Sequence, residues 1–317
     1  FLGAIANCED ESEFAGVVAH ELGHNSHDHV GQTIGRQQRA RDVLGLGGLL
    51  GRPGRAIGGI VGGWAAGIRL QRYSRDQEIE ADERAIEYTV RAAIDPDGLA
   101  RWFARLHQQY GSQGIALFQS HPSHRNRVSG IRKTIAGYEV PPNAHRDSES
   151  FRRARDRARE ILPYYLALHQ ALAQPKPKPV VEACDAGMAA LPHHGQFYFW
   201  KGLLIGAIDD DAARTEALIL LRKAALLDPS NHLTHVLRAM SELSAGQFRS
   251  AVAAATDAIA LVPLIASPYL VRGLARLPLG EKKAAFQDFD TALGHVPEDQ
   301  REELIGEIRR FAPDYRT

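Results

Sequence analysis

The sequence has 317 residues, which is long enough for two domains, and its 38 lysine and arginine residues balance 38 aspartate and glutamate residues. This balance leaves no net field that would favour nucleic acid or a highly charged substrate. The two cysteines, Cys8 and Cys184, form no CxxC pair, so we expect no disulfide framework.

The first informative element is an apolar helical stretch that runs into an HExxH motif at positions 20–24. Residues four apart lie on one face of a helix, so His20 and His24 are close enough to bind one metal ion. Glu21 would then lie beside an open coordination position, where it is a candidate general base. Because the sequence holds 14 histidines, an HExxH pattern can also arise by chance. The alternative interpretation is therefore a polar helix with two surface histidines.

The next segment, Gly45–Gly67, is apolar and rich in glycine. It contains Arg52, Pro53 and Arg55 near its middle, which argues against a transmembrane helix. We expect an active-site flap, or a surface that contacts the bilayer, rather than a membrane span.

The segment 74–82 predicts a second helix, on which Glu78 and Asp82 lie one turn apart on the same face. A catalytic zinc site has three protein ligands and a water, so Glu78 is a candidate third ligand. Asp82 would hold a liganding histidine by its second ring nitrogen. The alternatives are a solvated acidic helix face and a third ligand supplied by His27. The metzincin spacing is excluded, because it requires a histidine at position 30, which is Val30.

The second half of the chain repeats with a fixed period. Prolines at positions 229, 263 and 297 are 34 residues apart, which is the length of a tetratricopeptide (TPR) repeat. The preceding unit ends 37 residues after Pro192, which indicates an insertion around Asp209–Asp211. Plain amphipathic helices with prolines placed by chance are the alternative, but they do not predict equal spacing.

Almost no β pattern occurs anywhere, so we predict a mainly all-α protein. Two domains are expected, a motif-bearing domain at residues 1–140 and a TPR α-solenoid at residues 141–317. The boundary is placed in the polar stretch Gly137–Ser150, which contains Pro141 and Pro142.

Three motifs occur in a fixed order: HExxH at 20–24, SRxxExxAD at 74–82 and HPxxxxR at 121–127. This order resembles the gluzincin zinc metallopeptidases of the CAAX prenyl protease and HtpX-like family. The resemblance implies a zincin-like helical metalloprotease fold for the first domain. It also implies one Zn²⁺ per chain, with His20, His24 and Glu78 as the zinc ligands.

The same resemblance implies roles for four further residues. Glu21 would be the general base, and Asp82 would support a liganding histidine. His121 and Arg127 fall in a segment that lies near the metal in such proteins, and both are candidate catalytic residues for the oxyanion. The glycine-containing β segment that precedes the HExxH helix in the family is missing here, so we expect the metallopeptidase domain to be N-terminally truncated.

A metallopeptidase domain followed by TPR repeats resembles a narrower group, the bacterial periplasmic TPR-containing members that act as β-barrel assembly-enhancing proteases. This resemblance implies hydrolysis of peptide bonds in protein substrates, as part of envelope protein quality control. It also implies a periplasmic location with loose membrane association, and repeats that bind a client or partner protein rather than nucleic acid. The alternative is a non-catalytic TPR adaptor or chaperone with a degenerate zinc-binding head.

Overall fold

The structure, a computed structural model, describes residues 2–26, 74–110, 127–174, 176–208 and 210–316. Within these ranges the regular structure is α-helical, and the only paired extended residues are Ile94 and His145 in a single bridge. The prediction of a mainly all-α protein is therefore confirmed. Among these helices none is both long enough and apolar enough to cross a membrane. The segment Gly45–Gly67 lies outside the described residues.

The first of two compact units holds five described helices and the beginning of a sixth. They are α1 Leu2–Asn7, α2 Glu11–Ser26, α3 Arg75–Arg91, α4 Gly98–Tyr110, α5 Arg127–Ile135 and the first part of α6 Glu149–Leu172. Both α2 and α5 pack against α3 and α4. The core between them is apolar and includes Cys8, Val17, Ile86, Leu99, Phe103, Ile131 and Phe151.

Local sequence sets where α2 and α3 begin. Asp10 precedes α2 and accepts hydrogen bonds from the Ser12 hydroxyl (2.7 Å) and from the Glu13 backbone N–H (3.0 Å). Ser74 and Gln77 form a capping box at the start of α3, in which each side chain accepts a hydrogen bond from the other residue's backbone N–H, at 3.2 and 2.9 Å. These caps satisfy N–H groups that the first turn of a helix leaves without partners.

Helices α2 and α3 approach each other closely at Gly23, inside the HExxH motif. A Cβ atom at this position would lie 2.8 Å from the Ala81 carbonyl oxygen and 2.9 Å from the Ala81 Cα. The backbone of α3 therefore occupies the space that a side chain would need. Because Ala81 lies between Glu78 and Asp82 in the sequence, this contact brings the motif segments of the two helices together.

The second unit consists of the end of α6 and eight further described helices. They are α7 Pro177–Ala190, α8 Gly195–Ile205, α9 Asp211–Leu227, α10 His232–Ser244, α11 Phe248–Leu261, α12 Ala266–Arg276, α13 Lys282–Gly294 and α14 Glu298–Phe311. Each helix from α7 onward packs against the next one in the chain. The predicted TPR solenoid is therefore confirmed, with the pairs α8–α9, α10–α11 and α12–α13 as successive repeats.

The same hydrogen bond recurs at the start of each of these three repeats. A side chain in the first helix of the pair donates to the backbone carbonyl of the proline six residues earlier, at 2.9–3.1 Å. The three bonds join Tyr198 to Pro192, His235 to Pro229 and Tyr269 to Pro263. Each of the three repeats therefore has a hydrogen-bond donor at this position, which either tyrosine or histidine supplies.

The division between the two units falls between Pro163 and Tyr164, within α6. The beginning of α6 packs with the first unit, since the rings of Phe14 and Phe151 stack with their centroids 5.8 Å apart. The contacts thus divide the chain later than the sequence-based limit between residues 140 and 141. The domain limits 1–140 and 141–317 stay a prediction.

Each unit holds one free cysteine in its interior. Cys8 lies in the first unit and Cys184 in the second, and both are 0% exposed. Burial raises the pKa of the Cys8 thiol above its usual range, and raises the pKa of Cys184 to about 12.

Candidate metal centre

Two histidines of α2 and one glutamate of α3 meet in the interior of the first unit. The Nε2 atoms of His20 and His24 are 3.2 Å apart, and each lies 3.5 Å from one carboxylate oxygen of Glu78. The three residues are 3%, 0% and 0% exposed, respectively. Their ligand atoms all lie within 4.8 Å of one another, and no other such group of three occurs in the described part of the chain.

The donor set at this point fits a divalent metal ion. Two imidazole nitrogens and a carboxylate oxygen are the ligands of many catalytic zinc sites, which leave a fourth position for water or substrate. Two Nε2 atoms 3.2 Å apart cannot both carry a proton toward each other, so at least one presents a lone pair. The structure therefore brings together His20, His24 and Glu78, the three residues singled out by the motifs as metal ligands.

Asp82 lies on the far side of the His20 ring. Its Oδ1 atom is 3.0 Å from Nδ1 of His20, the ring nitrogen that does not face Glu78. A carboxylate at this position favours the tautomer with the proton on Nδ1, and leaves Nε2 available for a metal. Burial alone would raise the pKa of the Asp82 carboxyl, but the contacts with His20 and Arg127 lower that pKa below its usual value.

Arg127, at the start of α5, contacts both acidic residues of α3. Its Nε and Nη2 atoms donate to the two oxygens of Asp82 at 2.9 and 2.6 Å, and its Nη1 lies 2.7 Å from Oε2 of Glu78. The residue is 5% exposed, and the ring centroid of Phe103 lies 4.0 Å from its Cζ. The sequence made Arg127 a candidate oxyanion donor, whereas the structure places its guanidinium on two carboxylates.

Of the two other predicted catalytic residues, the structure describes Glu21 but not His121. Glu21 follows His20 on α2 and is partly exposed. His121, and the rival third ligand His27, lie outside the described residues. Sequence reasoning missed Phe103, because an aromatic residue on an amphipathic helix usually belongs to the hydrophobic core. Its contact with Arg127 depends on how α4 and α5 pack, which the sequence does not show.

Comparison with known proteins finds a family that matches the segment holding this centre. Residues 1–135 match Peptidase family M48. Metalloprotease YcaL of Escherichia coli is 30% identical over 133 residues, which cover 40% of this chain and 50% of that protein. The β-barrel assembly-enhancing proteases of Yersinia pestis and E. coli are each 26% identical, over 46% and 47% of this chain and 32% of their own length. The alignments thus span half or less of these relatives.

A solved structure, the TPR2AB-domain:pHSP90-complex of yeast Sti1, is 15% identical and aligns over 82% of this chain and 84% of that chain, with a TM-score of 0.31. The family match covers the motif-bearing segment of this chain. The histidine and glutamate cluster therefore lies within the residues that match Peptidase family M48.

Proposed function

We propose that the chain is a zinc-dependent metalloendopeptidase that hydrolyses peptide bonds of protein substrates. The observation that carries this proposal is the buried meeting of His20, His24 and Glu78, whose three ligand atoms lie within 4.8 Å of one another. These residues would hold one Zn²⁺ per chain. When bound, the zinc would supply Lewis acidity at the scissile carbonyl and toward the attacking water.

Three residues of the chain would have different roles in the transfer and placement of protons. Glu21, next to His20 on α2, would accept a proton from the attacking water on its carboxylate and pass it to the leaving amine. Asp82 would keep the proton of His20 on Nδ1, 3.0 Å away, so that Nε2 stays a ligand. His121 remains our candidate for a donor to the oxyanion.

The relatives support a proposal for the biological setting. Two of them are named β-barrel assembly-enhancing proteases, which points to proteins of the bacterial envelope as the substrates. We infer that this chain acts in envelope protein quality control in the bacterial periplasm, with peripheral membrane contact. The TPR repeats would bind client or partner proteins in their groove.

The variant Glu21→Gln tests the proposed activity. We expect it to retain one zinc ion per chain and to lose casein cleavage by about 100-fold or more, because the amide cannot accept a proton. Zinc content would be measured by elemental analysis, and cleavage with and without a zinc chelator. Glu83→Gln is the matched control, because Glu83 is an exposed acid on α3.

Cleavage by Glu21→Gln at the wild-type rate would contradict the general-base assignment. Bound zinc with no cleavage by the wild-type chain would favour the adaptor or chaperone interpretation instead.

A further inference from the structure

The carboxylates of Glu78 and Asp82 lie one turn apart on α3, and both are almost fully removed from solvent. They are 0% and 6% exposed. Two buried negative charges so close together repel each other, and each has lost its hydration. One cation reaches both, because the guanidinium of Arg127 contacts two oxygens of Asp82 and one oxygen of Glu78.

The form of the guanidinium matters as much as its charge. Its planar fork matches the two oxygens of Asp82, at 2.9 and 2.6 Å, and this geometry fixes the rotation of that carboxylate. A third nitrogen, Nη1, lies 2.7 Å from Oε2 of Glu78, so that the other oxygen, Oε1, is the one nearest His24. The orientation of both carboxylates therefore depends on where Arg127 lies.

Phe103 in turn holds the guanidinium. Its ring centroid lies 4.0 Å from Cζ of Arg127, within the range of a cation–π interaction. The same ring meets His20 edge to face, with centroids 6.3 Å apart and planes at 86°. Phe103 therefore contacts the cation and a liganding histidine at once, so one side chain of α4 connects the Arg127 cluster to the ligand set.

We propose that Arg127 is a positioning residue for the metal centre, and that Phe103 supports it. Arg127 holds Glu78 and Asp82 in the orientation in which the first binds the metal and the second fixes His20. This role differs from donation to the reacting oxyanion, and it rests on the proposed function only in that the centre binds zinc. Its signature is a loss of metal affinity rather than a loss of turnover alone.

Zinc affinity, measured on the full chain by competition with a chromogenic chelator, tests this proposal without any cleavage assay. We expect Arg127→Gln to bind zinc about 10- to 100-fold more weakly than wild type. Arg127→Lys should fall between the two, since an ammonium keeps the charge and lacks the fork. Phe103→Leu should weaken zinc binding by a smaller factor, about threefold to tenfold.

The matched control is Arg105→Gln. Arg105 pairs with Glu13, a carboxylate that is 2% exposed in the same unit and on the other half of α2. Loss of this pair should lower the unfolding temperature and leave zinc affinity unchanged. If Arg127→Gln does not fold, Arg127→Lys and Phe103→Leu carry the test, and folding of each variant would be checked by circular dichroism.

Wild-type zinc affinity in folded Arg127 and Phe103 variants would overturn the positioning role. Wild-type affinity combined with slow cleavage would assign Arg127 to the substrate instead. A wild-type chain that binds no zinc would overturn the proposed function itself, and the two failures are thus distinguishable.

Discussion

Buried carboxylates of the first unit each meet an arginine from another part of the chain. The pairs are Asp10 with Arg101, Glu13 with Arg105, and Glu78 and Asp82 with Arg127. A buried charge without such a partner would cost several kcal/mol. The first two pairs lie at the beginning of α2, whereas Arg127 pairs with the two carboxylates of α3 that contact the histidines near the end of α2.

Asp10→Asn tests the contribution of the pair at the start of α2. Burial tends to raise the pKa of Asp10, but hydrogen bonds from Ser12, Glu13 and Arg146 and the charge of Arg101 lower it below its usual value. A lowered pKa means that the carboxylate stabilises the fold above about pH 4, and that this stability is lost as the pH falls through the folded-state pKa. We expect the variant to lose about 2 kcal/mol of unfolding free energy at pH 7.

Urea unfolding at pH 7 and at pH 3 provides the measurement, and the gap between the wild type and Asp10→Asn should narrow at the lower pH. Asp156→Asn serves as the exposed control and should differ little from wild type at either pH. A gap of equal size at both pH values would show that the charge of Asp10 plays no part.

Motif spacing singled out the residues that meet in the metal centre, because His20 and His24 share a helix face and Glu78 is the acid of the second motif. The partners of Arg127 could not be predicted in the same way. Its contacts with Asp82 and Phe103 join three helices, and no local spacing encodes how those helices cross. Sequence reasoning therefore gave the candidate ligands and Asp82, and missed the contacts of Arg127 with Asp82 and Phe103.

Whether the metal centre can form depends on how closely helices α2 and α3 pack. Gly23 lies between the two histidines of the motif, in contact with the backbone of α3. We expect Gly23→Ala to force the helices apart by several tenths of an ångström, to weaken zinc binding and to cost about 1–3 kcal/mol of unfolding free energy. Chelator competition and thermal unfolding would measure the two effects.

For Gly130→Ala, in the same unit, we expect the opposite effect on stability. Gly130 lies in α5, and a Cβ atom there would meet nothing within 4 Å. Alanine should therefore stabilise the helix by up to about 1 kcal/mol and leave zinc affinity unchanged. A Gly23→Ala variant that behaved like Gly130→Ala would show that the helices tolerate a wider separation.

The repeat helices were predictable because each repeat has the same sequence pattern. The position at which the chain divides into its two compact units was not predictable. Proline is expected to interrupt a helix, yet α6 runs through Pro163 and the two units divide just after it. The domain boundary was predicted in the polar stretch at 137–150, yet the Arg146 carbonyl near its end accepts a hydrogen bond from Ser12 N–H at 2.9 Å. Composition alone does not reveal such contacts between distant segments.

For the whole molecule, the metal would connect α2 to a helix that begins about fifty residues later in the chain. A ligand that binds only the folded state stabilises it, by about 2.7 kcal/mol when its free concentration is 100 times Kd. We expect a chelator to lower the unfolding temperature of the wild type, and added zinc to restore it. Calorimetry with and without chelator would measure this shift.

Glu78→Ala is the control for this experiment, because it removes one of the three proposed ligands. Its unfolding temperature should not respond to the chelator. A response as large as that of the wild type would mean that the stabilising ion binds elsewhere in the chain.

The burial of the two cysteines determines how the chain would react with oxidants. Thiols react with oxidants as thiolates, and both sulfurs are sealed inside their own unit with pKa values far above neutral pH. The folded chain therefore resists mixed disulfides and sulfenic acid formation. When either unit unfolds, its cysteine becomes exposed to oxidants. Oxidation would therefore occur mainly in molecules that have already lost their native structure.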